Sequence, residues 1–382
     1  MQTAPKELTY KVIEKEILRR ILEGVYAPGQ QMPTERELEK ELEVSRLTIA
    51  KGLANLAAAG YITRTQGRGS FVCPRLPMMQ RALGPKSTNH GIIKFISPVS
   101  PPNQVVVRRG VLEGIHAGAA AAGYHVCVEF YESVEQQLAL LERYQDPINE
   151  GFVIWPAHDT RILPVLRRMQ SANFPFALVD SIFTEITCDY IVSDNIYGAE
   201  LMVNHLVEAG HRRIAYFTAM PDRTSLAERL AGVIAALSKN RLPVLPETIN
   251  VIPGDDAITA GYKGAQNLDY LRERLQTMLA MKEPPTAIFA GNDFIAMAIY
   301  NLLEEFGVRV PEQMALAGFD NIDAAQYFKI PLTTVAQDFF GLGQMAGKVI
   351  MERRASTLSR DMYLQSRMAP ELIVRESTKG LK

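Results

Sequence analysis

Little in this 382-residue chain suits metal, redox or membrane chemistry. The three cysteines (Cys73, Cys127, Cys188) lie far apart with no C-x-x-C pair, which excludes a disulfide framework and a zinc module. No uninterrupted apolar run approaches the roughly 18 residues that a bilayer-spanning helix needs. The first residues, MQTAPKELTYKVIEKEI, carry a charge every few positions and lack the apolar stretch of a secretory signal. A soluble, cytoplasmic protein with no membrane partner is therefore expected. The six histidines are scattered, and there is no G-x-S-x-G, no H-E-x-x-H and no His/Cys cluster. Catalytic residues, metal ligands and a cofactor are accordingly not assigned, and the chain is read as not an enzyme. Charge of one sign is lacking too: 41 Lys and Arg against 42 Asp and Glu give −1. That excludes a polyanion binder over its whole surface, though not a local basic patch.

The composition that remains, 47% hydrophobic and 22% charged, is that of a globular chain with two or three domains. Its charge is uneven, with +3 in residues 1–75 and −4 in the rest. Within 44–75 the sequence has Arg46, Lys51, Arg64, Arg68 and Arg75 and no acid. An electropositive face on a small front domain follows from that stretch.

The spacing of Leu8, Val12, Ile13, Ile17, Leu18, Ile21 and Leu22 predicts an amphipathic helix over 8–23, ended by Gly24 and the Pro28-Gly29 turn. Thr34, with Glu37 three residues on, has the capping-box spacing and predicts a short helix to about Leu42. Ser45 predicts the cap of a third helix, which Gly60 stops. Tyr61–Arg64 and Ser70–Val72 then read as two strands around the Gly-rich turn Gln66-Gly67-Arg68-Gly69. Three helices and a basic hairpin describe a winged helix-turn-helix. A major groove admits one helix whose first residues face base edges, and Ser45, Arg46, Thr48 and Lys51 supply short polar and cationic groups there. Gly67 and Gly69 let the turn approach a narrow minor groove, which attracts Arg68.

Residues 8–73 resemble the GntR family of bacterial repressors through the Pro28-Gly29 turn, PTERELEKEL, VSRLTIAKGL and TRTQGRGSFV. The resemblance implies binding to double-stranded operator DNA. The candidate contacts are Thr34, Arg36, Ser45, Arg46, Thr48, Lys51, Gln66, Gly67, Arg68 and Gly69. Ala50 departs from the family, which usually has Arg or Lys there; alanine bonds neither phosphate nor guanine.

Residues 74–90, with three prolines from Pro74 to Pro85, read as a linker between a domain at 1–73 and one at 91–382. From Gly91 short apolar runs alternate with helical patterns, which predicts βαβ units and parallel sheets in two lobes. Ligands of such sheets bind beyond the carboxyl ends of the strands. The residues that stand there are Asp180 after Ala177–Val179, Ser193-Asp194-Asn195 after Ile191-Val192, Asn292-Asp293 after Ala287–Gly291, and Phe319-Asp320-Asn321 after Ala315–Gly318, with carboxylates and amides recurring. Arg229 adds a cation on a following helix. Carboxylates and amides accept or bridge adjacent hydroxyls, arginine donates in a fork, and Trp155 or Phe319 could cover a sugar ring. The structural alternatives are helix caps at Asn292 and Asp194 and a turn at Asp180.

GHRRIAYFTA (210–219), ERLAG (228–232), PTAIFAGND (285–293), VPEQMALAGFDN (310–321) and PLTTVAQDFFGLG (331–343) resemble the LacI-type effector domain, which has the periplasmic sugar-binding fold. The resemblance implies effector contacts at Asp180, Arg229, Asn292, Asp320 and Gln337, with Ser225 and Asp256 reaching the pocket in some members. Asp256 stands where sugar-binding members can have an aromatic. The fold class implied is α/β: a winged helix-turn-helix followed by a two-lobed periplasmic-binding-protein-like α/β/α domain. A GntR-type front end on a LacI-type domain resembles the arabinose repressors. It implies a homodimeric repressor whose small-molecule effector, a sugar, controls its hold on DNA. The alternative is a sugar receptor without a regulatory role. Gly341-x-Gly343-x3-Gly347-Lys348 misses the spacing of a phosphate loop and reads as helix.

Overall fold

The computed structural model describes residues 13–14, 16–18, 20–21, 25–27, 29–42, 44–58, 61–65, 69–73, 91–99, 105–144, 150–253, 265–355, 357–358 and 362–379. Gln66, Gly67, Arg68, Asp256 and the segment 74–90 lie outside the described residues. The chain divides into two compact units, Met1–Ser87 and Thr88–Lys382.

In the first unit, helical residues between Ile13 and Ile21 bury Ile13, Ile17 and Ile21, four residues apart on one face. α1 (Glu35–Leu42) and α2 (Arg46–Ala58) close over the same core through Leu38, Ile49, Leu53 and Leu56. The expected capping box opens α1. Glu37 N–H donates to Thr34 Oγ1 at 3.3 Å, and Thr34 N–H donates to Glu37 Oε2 at 2.7 Å. β1 (Ile62–Thr65) and β2 (Gly69–Val72) form the antiparallel wing, with Ile62 opposite Val72 and Thr65 opposite Gly69.

The second unit holds two six-stranded sheets. One has the order β13-β7-β6-β5-β3-β4 and is parallel throughout; its strands are β3 (Gly91–Pro98), β4 (Tyr124–Tyr131), β5 (Glu150–Ile154), β6 (Phe176–Val179), β7 (Asp189–Ser193) and β13 (Gln365–Met368). The other has the order β14-β12-β11-β10-β8-β9; its strands are β8 (Ile214–Ala219), β9 (Ile249–Ile252), β10 (Ala287–Ala290), β11 (Ala315–Asp320), β12 (Thr333–Ala336) and the antiparallel edge β14 (Glu371–Ile373). Strands such as Phe176–Val179 and Ala287–Ala290 are buried at every residue, as sheets covered by helices on both faces require.

The chain passes between the lobes three times: after β7, after β12, and between β13 and β14. Sheet order is thus built from non-contiguous segments, and the cleft is bordered by three crossing strands of chain. α3 (Val105–Ala121) and α10 (Phe339–Arg354) pack closely in the first lobe. The glycines that mimic a phosphate loop have their use here. A Cβ on Gly343 would strike the Val111 carbonyl, and one on Gly114 would strike the Phe340 carbonyl. The helix that opens at Val134 ends at Leu141, where Glu142 caps it.

Candidate functional site

Between the lobes lies a solvent-open cavity lined by residues of both. Six of the seven effector candidates line it: Asp180, Ser225, Arg229, Asn292, Asp320 and Gln337. The first lobe contributes Arg108 on α3, Trp155 just past β5, and Asp180 just past β6. The second contributes Ser225 and Arg229 on α7 (Thr224–Lys239), Asn292 before α9 (Asp293–Glu305), and Asp320 at the end of β11. Gln337 sits on the crossing segment between β12 and α10.

Arg229 is only 4% exposed and ties three strand ends together. Its Nε donates to Asn195 Oδ1 at 2.9 Å, its Nη1 to the Gly291 carbonyl at 2.6 Å, and its Nη2 lies 3.2 Å from Asp320 Oδ1. Gln337 Nε2 donates to the same Asp320 oxygen at 2.7 Å, so this carboxylate is aimed by two side chains. Across the cleft, Asp180 Oδ2 accepts from Ser181 Oγ, which lies 3.0 Å from Ser225 Oγ of the other lobe. The Ile182 N–H donates to Thr224 Oγ1 at 2.9 Å, a second tie between lobes.

Both carboxylates stand on left-handed backbone, Asp180 at φ 69° and Asp320 at φ 109°. Non-glycine residues held there store strain, which is concentrated where a side chain has to be presented. Burial pushes both carboxyls above the usual range, Asp320 to about 6, while the charge of Arg229 opposes the shift. Asp293, fully buried behind the cavity, is pushed to about 8 by desolvation and by Asp320. It is anchored by Thr334 Oγ1 at 2.6 Å and the Ile322 N–H at 2.9 Å.

Asn292 Oδ1 caps α9 by accepting from the Ile295 N–H at 2.8 Å, the structural alternative weighed for it, and the residue also lines the cavity. Asp194 caps α6 (Asn195–Glu208) through the Tyr197 N–H at 3.0 Å. Phe319 is not a cover for a sugar ring. It is fully buried, and the Arg229 guanidinium lies 3.8 Å over its face. Trp155 does line the cavity, with its carbonyl pinned by the Tyr131 hydroxyl at 2.8 Å and Gln137 Nε2 at 3.1 Å.

Arg108, Arg223, Phe294 and Phe339 also line the cavity, and reading the sequence for strand ends missed them. Each sits at or near the start of a helix, where an apolar-run search does not look. Desolvation lowers the Arg108 guanidinium to about 10, and the nearby Arg223 charge works in the same direction.

In the front unit, Arg36, Ser45, Arg46, Lys51 and Gly69 are exposed and Thr48 is half-buried. Ser45 Oγ and Thr48 Oγ1 lie 2.8 Å apart at the start of α2. Sequence proximity hid one feature: Glu35 pairs with both Arg46, at 3.2 Å, and Arg64, at 2.5 Å. The acid-free stretch 44–75 is therefore not an acid-free face, because α1 lends it a carboxylate.

The model of bacterial regulatory proteins of the gntR family matches residues 9–72, and that of the periplasmic binding protein-like domain matches residues 203–378. An HTH-type transcriptional repressor, PurR of Photobacterium profundum, is 30% identical over 274 residues, covering 71% of this chain and 77% of the relative. The chain belongs to the bacterial transcriptional repressors, with a GntR-type DNA-binding head and a periplasmic-binding-protein-like domain. An arabinose metabolism transcriptional repressor of Geobacillus stearothermophilus is 27% identical across 100% of this chain and 99% of its own length, so the similarity runs through both units of this repressor. A LacI family regulator from Enterococcus faecium, solved with bound ribose, has the same effector-domain fold: TM-score 0.61 and 24% identity over 76% of this chain and 100% of that one. Among the described residues no helix is long and apolar enough to cross a membrane, and no group of three His, Cys, Asp or Glu could hold a metal ion.

Proposed function

We propose that this repressor is a cytoplasmic homodimer that holds two operator half-sites until a sugar-like molecule fills the cavity between its lobes. One observation carries the reading. Two carboxylates on strained strand ends, Asp180 and Asp320, belong to opposite lobes and border one cavity beside Arg229 and Trp155. Paired acceptors, a forked donor and an aromatic face are the chemistry that recognises a polyhydroxylated ring. A ligand touching both lobes favours the arrangement in which both touch it, and so shifts the lobe equilibrium. Arabinose metabolism in one full-length relative and ribose in a solved neighbour support a sugar as ligand.

The DNA contacts proposed are Arg36, Ser45, Arg46, Thr48 and Lys51 on α1 and α2, with Thr34 as cap and the wing Gln66–Gly69. The effector contacts proposed are Asp180, Ser225, Arg229, Asn292, Asp320 and Gln337, with Asp256 from the segment after β9. A coupling of about 1–3 kcal/mol between the sites would change operator affinity roughly 5–150-fold, and DNA would weaken effector binding by the same factor. The test is a DNA duplex selected from a random pool by the purified protein, then titrated with monosaccharides and sugar acids. Release of the duplex by a ligand that also raises Tm supports the reading. Ligand binding that leaves the DNA dissociation constant unchanged sinks it.

A further inference from the structure

The reading helix of the front unit turns an apolar side chain to solvent. α2 packs Ile49, Leu53 and Leu56 into the core. A helix turns once in about 3.6 residues, so Leu47, Lys51 and Ala54 fall on the opposite side, with Ala50 at its edge. Leu47, the second residue of the helix, is 79% exposed. Among the described residues of the front unit, Val25 is the only other large apolar side chain so placed, and it precedes the reading elements. The backbone on both sides of Leu47 is held: Ser45 Oγ lies 2.8 Å from Thr48 Oγ1, and the Arg46 N–H donates to Glu39 Oε1 at 3.1 Å. Leu47, Ala50 and Ala54 bring no side-chain donor or acceptor to this side of the helix. Exposed cations stand in the same unit, Arg36 on α1, Arg46 and Lys51 on α2, and Arg64 on β1.

We propose that Leu47, with Ala50 beside it, reads the 5-methyl group of thymine in the major groove, so that each operator half-site is selected in part by apolar contact. The inference rests on the DNA contacts proposed above and specifies what one face of the reading helix recognises. Its physical basis is the pattern that base edges present. Thymine offers a methyl group in the major groove, whereas guanine offers two acceptors, adenine an acceptor and a donor, and cytosine a donor. Arginine or lysine at position 50 would select guanine; alanine leaves the guanine pattern unread. A leucine laid on a polar base edge strips water from groups it cannot bond. Laid against a methyl, it removes two apolar surfaces from water together. A single exposed leucine on a soluble surface needs no explanation. This one stands at the start of the reading helix between Arg46 and Lys51, and a phosphate backbone complements that charge. A second copy of the same face would bring cations against cations.

The experiment measures binding of the full chain to the duplex it selects from a random pool, with each half-site thymine replaced in turn by deoxyuridine. That exchange removes the 5-methyl group and keeps every hydrogen-bonding group of the base. At the thymine that Leu47 meets in each half-site, the exchange should weaken binding about fourfold, the worth of one buried methyl group. In Leu47→Ala the ratio at the same position should fall toward unity, and in Leu47→Met, which keeps an apolar contact, most of it should remain. Melting of both variants checks that they fold, as loss of an exposed side chain predicts. A duplex that tolerates deoxyuridine at every position overturns this inference while the DNA contacts proposed above stand. So does a loss equally large in Leu47→Ala, which gives the methyl group to another side chain. Altered assembly of Leu47→Ala with an unchanged deoxyuridine ratio gives the leucine to a protein contact and overturns the inference as well. If no duplex is enriched over random sequence, the DNA contacts proposed above fall, and this inference with them.

Discussion

The guanidinium of Arg229 lies 3.2 Å from the carboxylate of Asp320, yet burial still holds that carboxyl up at about 6. The pair is less a salt bridge for stability than a fixture for a ligand-facing oxygen. Arg229 spends its fork on Asn195, Gly291 and Asp320, three points that lie at the ends of separate strands. Removing it leaves Asp320 a buried charge without its partner, at a cost of about 3–5 kcal/mol. Arg229→Ala is therefore expected to lower the Tm of the effector domain, and Arg229→Lys to fold while losing ligand affinity. Duplex binding by Arg229→Lys should remain, now insensitive to effector. A normal effector response in Arg229→Lys, read by gel shift, would show that the fork is dispensable.

Asp293 makes the effector domain sensitive to pH. Its carboxyl, fully buried, is raised from 3.8 to about 8. Between those values the folded chain binds a proton that the unfolded chain has released. Stability is thus fully present below about 4 and falls as pH rises toward about 8, by at most about 1.4 kcal/mol per pH unit for this group. Asp320 adds the same sign over the narrower window from 3.8 to about 6. Asn at 293 can accept from the Ile322 N–H and donate to Thr334 Oγ1, the two partners Asp293 has now. Asp293→Asn should therefore flatten the slope of Tm against pH and melt higher than the parent at pH 8. An unchanged slope in the variant would place the titrating group elsewhere.

The front unit is self-restrained by Glu35. Its carboxylate holds Arg46 and Arg64, two cations at the start of α2 and on the wing. The proposed DNA contact of Arg46 would require breaking its pair with Glu35, and exposed pairs of this kind are worth up to about 1 kcal/mol each. Glu35→Gln should tighten binding to any duplex several-fold and steepen its dependence on salt, because freed arginines neutralise phosphates and release counterions. Arg46→Ala should lose about 1–3 kcal/mol of operator binding with effector affinity intact. Filter binding across a salt series reads both; a salt slope identical in Glu35→Gln and the parent would rule out the restraint.

Periodicity and strand-end logic made much of this molecule legible. Ile13, Ile17 and Ile21 announced a helix face, Thr34 and Glu37 a capping box, and Asp180, Asn292 and Asp320 at strand ends, with Arg229 on a helix, one cavity, to which the family resemblance added Ser225 and Gln337. What stayed hidden was relational. Glu35 is eleven residues before Arg46 in sequence but pairs with it in space, so a charge count along the chain misjudges the face. Phe319 reads like an aromatic just past a strand, yet β11 runs on to Asp320 and holds Phe319 inside the sheet, fully buried with Arg229 over its face. Arg108 follows Val105-Val106-Val107, but that run reads as the opening of a helix and not as a strand, so a search of strand ends passes it by.

Trp155 is the chain's single tryptophan, and it lines the cavity. Its fluorescence should therefore report effector binding without any label. The emission change on titration with a binding ligand is expected to share its midpoint with release of the duplex. Trp155→Leu should abolish the signal and weaken the ligand, since a flat aromatic face over an apolar ring face is lost. If emission shifts fully at ligand concentrations that leave DNA bound, cavity occupancy and operator release are separate events.

A polar contact away from the cavity joins the lobes, and it is predicted to act as a latch on their closure. Arg367 on β13 of the first lobe meets Glu228 on α7 of the second in a bidentate pair, with both N–H···O distances at 2.9 Å. The guanidinium is 36% exposed and the carboxylate 19%, so the pair is partly screened, and about 0.5–1 kcal/mol is a reasonable worth. Neither residue lines the cavity, so their loss acts on the lobe equilibrium rather than on ligand contacts. Glu228→Gln should weaken effector binding by about two- to fivefold and raise the effector concentration needed for DNA release by the same factor, since one equilibrium feeds both. Arg367→Gln should do likewise, and the double variant should cost less than the sum of the two. Additive losses in that cycle would mean that the two side chains act separately and that this contact is not the latch.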